Sequence, residues 1–141
     1  MWGFILMSKG QSLRFYHNSK EERDEWIIAL TDSCVLLDMA EEYNLSTLLG
    51  RGNFAKVHLS TKIDDPTNKN YAMKSINKVN TRKCKRNITS VLLEIDILRK
   101  LKHPYIIEMY GVYESSKYIH LVLNYLDGGE LFERIKSRAV Y

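Results

Sequence analysis

Two glycines flanking one residue, Gly50-Arg51-Gly52, run into Asn53-Phe54-Ala55-Lys56-Val57, and this stretch carries the first chemical signal of the chain. Glycine lets a backbone approach a ligand closely and turn its N–H groups toward anionic oxygens, the physical basis of a phosphate cradle. A hairpin with two glycines and no ligand is the simpler alternative. A second signal comes from Lys74, which ends the otherwise apolar run Tyr71-Ala72-Met73. A cation in such a segment needs a partner unless it lies on an edge strand facing water. The third signal is Glu94, set at the edge of an apolar helical stripe, where a half-buried carboxylate calls for a cation and a solvated boundary position does not. Lys74 is the candidate partner of Glu94.

The elements that must position these residues follow from hydrophobic period. Tyr43 to Leu49, Ala55 to Thr61 and Tyr71 to Asn77 read as antiparallel strands, with Asp64-Asp65-Pro66-Thr67-Asn68 as the turn between the second and third. Ile88 to Leu101 reads as a helix whose stripe is Ile88, Val91, Leu92, Ile95, Leu98 and Leu101, with Asp96 and Lys100 pointing elsewhere. His103-Pro104 ends it. Ile107 to Tyr113 and Tyr118 to Tyr125 supply two more strands around Glu114-Ser115-Ser116-Lys117, and Glu130 to Arg138 begins another helix. The predicted fold class is α+β: a five-stranded antiparallel sheet with one principal helix.

Ahead of this lie two short strands, Trp2 to Met7 and Ser12 to His17, joined at Ser8-Lys9-Gly10-Gln11. A helix follows, with Ser19 as cap, Glu22 as its reciprocal capping-box partner, and Arg23, Trp26, Ile27 and Leu30 at helical spacing. The helical pattern extends from Thr31 to Glu42 through Val35, Leu36 and Met39, a stretch read as a connector. The expected organisation is therefore residues 1–30, a connector at 31–42, and a main unit at 43–141.

At 141 residues, 45% hydrophobic and 27% charged, the chain suits one small globular domain, or part of one with an appendage. The net charge of +4 permits an acidic or phosphorylated partner, but aromatics are not interleaved with the basic residues as a nucleic-acid surface requires, so no nucleic acid is expected. Cys34 and Cys84 form no metal-binding or disulfide pattern. Met1 to Met7 is apolar without a preceding basic region, and no run is long enough to span a bilayer. The expected location is cytoplasmic, and Asn44-Leu45-Ser46 and Asn87-Ile88-Thr89 are read as chance matches to a glycosylation pattern.

Taken together, four features in order resemble the amino-terminal lobe of a protein kinase: Gly50 to Val57, the Ala72-Met73-Lys74 strand, Glu94 on the helix, and Leu123-Asn124-Tyr125-Leu126 running into Gly128-Gly129-Glu130-Leu131-Phe132. The ending is most similar to the calcium/calmodulin-dependent group of serine/threonine kinases. Residues 1–30, with Leu13-Arg14-Phe15-Tyr16 leading into Glu22-Arg23-Asp24-Glu25-Trp26-Ile27, resemble the closing end of a pleckstrin-homology domain.

The kinase resemblance implies ATP as ligand, Mg2+ in the complete protein, and a protein substrate bearing Ser or Thr. It implies that N–H groups from Gly52, Asn53, Phe54 and Ala55 cover the β- and γ-phosphates, with Gly50 giving the lid its close approach. Lys74 meets the α- and β-phosphates and Glu94 orients it; these two are the expected catalytic residues. Leu49, Val57 and Ala72 are expected to sandwich the adenine, Leu123 to be the gatekeeper, and backbone groups of Asn124 and Leu126 to bond its edge. Glu130 is expected to reach the ribose or a basic substrate residue. Ala55 replaces a third glycine and Asn124 an acidic residue; neither departure argues against a working site.

No H-R-D or D-F-G sequence occurs in the chain, so the 141 residues are expected to be a fragment that is inactive alone. The pleckstrin-homology likeness leaves phosphoinositide binding, and with it membrane association, to parts of such a domain outside residues 1–30. Lys78, Arg82, Lys83, Lys85 and Arg86 form a basic cluster that is either a solvated connector or a docking surface for acidic groups. A non-catalytic scaffold or pseudokinase module that binds protein or membrane partners is the alternative to an active kinase.

Overall fold

A computed structural model describes residues 1–8, 10–31, 33–83, 88–129 and 131–138. The first unit is a hairpin, β1 (Trp2–Ser8) and β2 (Gln11–His17), followed by α1 (Lys20–Thr31). Gly10 has φ +80°, the left-handed conformation that a two-residue hairpin loop demands and glycine accepts without strain. Phe4 and Phe15 stack across the hairpin at 5.1 Å, beside a cavity of about 260 Å3 that Trp26 and Leu30 of α1 also line.

The start of α1 differs from the expected capping box. Ser19 Oγ accepts the Glu22 N–H at 3.3 Å, but the Ser19 N–H donates to His17 Nδ1 at 3.1 Å, and the Glu22 carboxylate lies 2.6 Å from His17 Nε2. The histidine takes the place of the reciprocal arm.

The expected helical continuation through Val35 and Leu36 does not form. Ser33 and Cys34 both turn their N–H groups back to the Leu30 carbonyl, closing α1. Leu36 then pairs with the strand β6 (Met109–Glu114): its N–H donates to Val112 O and its carbonyl accepts from Glu114 N–H, each at 2.8 Å. An unpaired sheet edge offers that backbone partners, and its apolar side chain packs on the buried cluster that includes Tyr113 and Val122, so tertiary context overrides the local pattern. A short helix α2 (Met39–Glu42) follows.

The main sheet is antiparallel and five-stranded, in the order β3 (Tyr43–Arg51), β4 (Ala55–Lys62), β5 (Asn70–Asn77), β7 (Tyr118–Asn124), β6. This is the α+β arrangement expected from the sequence. Its principal helix is α4 (Ile88–Lys100), preceded by the short α3 (Lys78–Lys83) and followed at the far end by α5 (Leu131–Arg138). The second last strand expected from Ile107 begins at Met109 instead.

Side chains alternate across the sheet, so each strand feeds two cores. Ala72, Ile76, Val112, Ile119, Leu121 and Leu123 face α4, where they bury Val91 and Ile95. Leu92 and Leu101, expected in the same stripe, are exposed. On the opposite face Tyr43, Tyr71, Met73, Tyr113 and Val122 form a second cluster, covered by Leu36 and Met39. Tyr43 packs edge-on against Tyr71 and Tyr113 at 5.6 and 5.9 Å. Burial pushes the Tyr43 phenol up to about 12 and raises that of Tyr113 as well, so both remain neutral packing groups.

His120 is buried on this second face, its Nδ1 2.9 Å from Ser75 Oγ and its Nε2 3.3 Å from Ser115 Oγ. Burial lowers its pKa below the ordinary histidine value. Because the fold favours the neutral ring, the unfolded chain takes up the extra proton first on acidification. The stability contribution is complete above the ordinary value and is lost as the pH falls through the folded one. Melting temperatures should therefore decline as the pH falls below the ordinary histidine value of about 6.5, and His120→Gln should flatten that part of the profile.

Candidate active site

Four strands place one residue each in a row across the α4 face: Val57, Lys74, Leu121 and Val112 are successive cross-strand partners. Lys74 is the charged member of this row. Its Nζ donates to Glu94 Oε1 at 2.8 Å, joining β5 to α4. The side chains are 29% and 28% exposed. That degree of burial fixes the ammonium in one direction, while the remaining hydration keeps the pair's net contribution to stability small. Lys74 and Glu94 thus meet as their sequence contexts predict. Asp96 and Lys100, expected to point elsewhere, pair with each other at 2.7 Å on an exposed side of the helix.

The glycine-rich stretch folds over the end of the same face. Gly50 is the partner of Val57 and Arg51 that of Lys56, and the turn closes when Gly52 N–H donates to Ala55 O at 2.9 Å. The Phe54 carbonyl accepts from Asn77 N–H at 2.9 Å, which ties the turn to the end of β5. Neither Gly50 nor Gly52 has a positive φ. A Cβ on Gly50 would meet nothing within 4 Å, and one on Gly52 only the Ala55 carbonyl at 3.8 Å. The fold itself does not require glycine at either position, and the open space leaves the backbone there approachable from outside. The space a side chain would fill suits an anionic ligand, although Gly52 N–H is already committed to Ala55. Asn53 is exposed and Phe54 half-buried.

Next to the Lys74 row, Ala72 and Leu123 are direct cross-strand partners and both are buried, with Val57 beside them on the same face. The Asn124 N–H donates to Glu108 O at 2.9 Å. Leu49 and Leu126 are exposed. The structure therefore gathers Val57, Ala72, Lys74, Glu94 and Leu123 on one face, with Gly50, Gly52 and Ala55 at its end. Glu130 lies outside the described residues, as do Lys85 and Arg86. Among the described residues no group of three or more His, Cys, Asp or Glu is placed to hold a metal ion.

Sequence reading passed over Leu121 and Val112, which floor the Lys74 row. Their positions in period-two alternation, on the same face as Ala72, were the available signal. It also passed over Arg99, whose guanidinium reaches the carbonyls of Ser33 and Cys34. Nothing in the local sequence marks that contact.

Comparison with known proteins gives the family. The family model for the protein kinase domain matches residues 43–141. This chain belongs to the protein kinase family. It is 42% identical over 105 residues to calcium-dependent protein kinase 20 of Oryza sativa subsp. japonica, covering 74% of this chain and 18% of that protein. It is 36% identical over 101 residues to calcium/calmodulin-dependent protein kinase type 1 of Caenorhabditis elegans, covering 72% of this chain and 28% of that one. A probable serine/threonine-protein kinase 2 of Plasmodium falciparum is 30% identical over 137 residues, 96% of this chain and 26% of its own length, so that match takes in residues before Tyr43. The chain thus spans between about a sixth and about a quarter of these relatives and others like them.

Proposed function

We propose that this chain is the ATP-binding lobe of a protein serine/threonine kinase that transfers the γ-phosphoryl group of ATP to protein hydroxyls. The observation that carries the reading is the Lys74–Glu94 ion pair at 2.8 Å, set beside a glycine turn whose open space the fold does not itself use. In this reading Lys74 supplies fixed positive charge to the α- and β-phosphates, and Glu94 holds it there. Val57, Ala72 and Leu123 give the adenine an apolar seat, with Leu49 closing over it, and Asn124 and Leu126 offer backbone groups to its edge. Bound Mg2+ would neutralise developing phosphate charge, and its ligands are assigned to the catalytic segments that this sequence does not contain. The 141 residues alone should transfer no phosphate. Residues 1–30 are read as the closing end of a pleckstrin-homology-like domain, supported by the β1–β2–α1 order with Trp26 on the helix.

The test is Gly52→Val in the full-length protein, assayed with ATP, Mg2+ and a Ser/Thr peptide. Because a Cβ at Gly52 meets only the Ala55 carbonyl, at an ordinary van der Waals distance of 3.8 Å, stability should change by less than about 1 kcal/mol. The KM for ATP should rise about tenfold or more, since the same space is where the phosphates must lie. An unchanged KM with wild-type turnover would remove the glycine turn from the site.

A further inference from the structure

On the about 100° per residue of a helix, Val91, Ile95 and Leu98 of α4 form one apolar arc, with Glu94 bounding it on one side and Arg99 on the other. Glu94 is tied to Lys74 on the sheet. Arg99 is tied to a different structure altogether: its Nη2 donates to Cys34 O at 2.5 Å and its Nη1 to Ser33 O at 3.4 Å. Those carbonyls belong to the turn that closes α1, where the helix ends and cations are favoured. The turn is in turn registered on the sheet, because Leu36, two residues on, holds Val112 and Glu114 of β6 through two backbone hydrogen bonds.

We propose that Arg99 is a positioning residue for the kinase reaction: anchored on the Ser33–Cys34 carbonyls, it sets the roll of α4 on the sheet and so holds Glu94 against Lys74. The inference rests on the kinase reading for its catalytic consequence, but its mechanical content does not. A helix fixed by its apolar arc alone can rock about its axis, and a rock that lifts Glu94 from Lys74 must pull Arg99 across the arc from its carbonyls. The two polar ties therefore reinforce each other through a rigid element. Residues 33–36, which precede the region shared by the family, become part of the device that orders the site. The exposed Lys100 next in sequence pairs with Asp96 within its own helix turn and makes a matched control.

Hydrogen exchange on the full-length protein, compared among wild type, Arg99→Ala, Arg99→Lys and Lys100→Ala, reads the mechanical part without any assay of activity. Arg99→Ala should speed exchange of amides around Glu94 about tenfold while leaving β4 and β5 unchanged, and Lys100→Ala should leave α4 as in wild type. Exchange altered only near residues 30–36, or altered equally by Lys100→Ala, overturns the proposal. The catalytic part is read by kinetics with ATP and peptide. Arg99→Ala should lower kcat/KM for ATP about tenfold with the peptide KM unchanged, and Arg99→Lys, which keeps a charged donor group, should recover most of it. An Arg99→Ala enzyme with loosened α4 but wild-type kinetics overturns the catalytic role. If the wild-type protein shows no phosphoryl transfer, the kinase reading fails, and the exchange result decides the mechanical role by itself.

Discussion

Lys74→Met in the full-length protein is expected to lower phosphoryl-transfer turnover by at least about 100-fold while moving the melting temperature by no more than a few degrees. The two halves of this expectation have separate causes. Methionine is close to lysine in length and suits the apolar row of Val57, Leu121 and Val112, so packing on the α4 face is retained. Glu94 loses the ammonium 2.8 Å away, but at 28% exposure it can hydrate, and half-exposed pairs contribute little to stability. What disappears is a preorganised positive charge, which water without a fixed orientation does not replace. Removing one such group typically costs two to three orders of magnitude in rate. Radiolabel transfer to a Ser/Thr peptide, set beside a thermal melt of the same sample, measures both halves. Turnover kept within a factor of about three would favour a lobe used for binding partners instead of catalysis.

Why this pair was legible from sequence, and Arg99 was not, is a matter of range. Lys74 interrupts an apolar strand segment and Glu94 borders a period-3.6 stripe; in each case the neighbours announce that the charge is half-buried. Such patterns encode burial, and burial of opposite charges on adjacent elements implies their meeting. The sheet followed from short apolar runs bounded by turn residues, continuous on β5 and β7 because both of their faces are buried. Leu36 and Arg99 carry no such mark. Leu36 continues a plausible helical spacing, and becomes sheet only because β6 has an open edge and Tyr113 and Val122 need cover. Arg99 resembles any basic residue in a last helical turn, and its acceptors lie more than sixty positions away. The error at Leu92 and Leu101 is of another kind: a six-residue apolar stripe is wider than the surface the sheet offers, and Val91 and Ile95 take the buried places. The Ser19 cap shows the limit of motif reading, because the Glu22 arm was drawn away by a histidine two residues before the cap.

Leu121→Ala should produce the opposite separation from Lys74→Met: loss of stability first, and loss of turnover as its consequence. Leu121 has no exposed surface, lies in the β7 strand between β5 and β6, and is the cross-strand partner of Lys74. It also belongs to the cluster that holds Val91 and Ile95, so a cavity there undermines both the row that carries Lys74 and the helix that carries Glu94. Truncating a fully buried leucine costs about 3–5 kcal/mol, a large part of the about 5–15 kcal/mol available to a domain. The melting temperature of the lobe should fall by roughly 10 °C or more. Leu92→Ala, on the exposed side of the same helix, should stay within about 0.5 kcal/mol of wild type. The decisive comparison is temperature. Cooling the Leu121→Ala protein well below its transition should restore much of its turnover, because Lys74 and Glu94 are intact and need only a folded lobe. Cooling cannot restore a missing charge, so Lys74→Met should remain impaired at every temperature where it is folded. If both variants recovered alike, Lys74 would be acting as a packing residue, and the row it shares with Leu121 would be a core with no catalytic member.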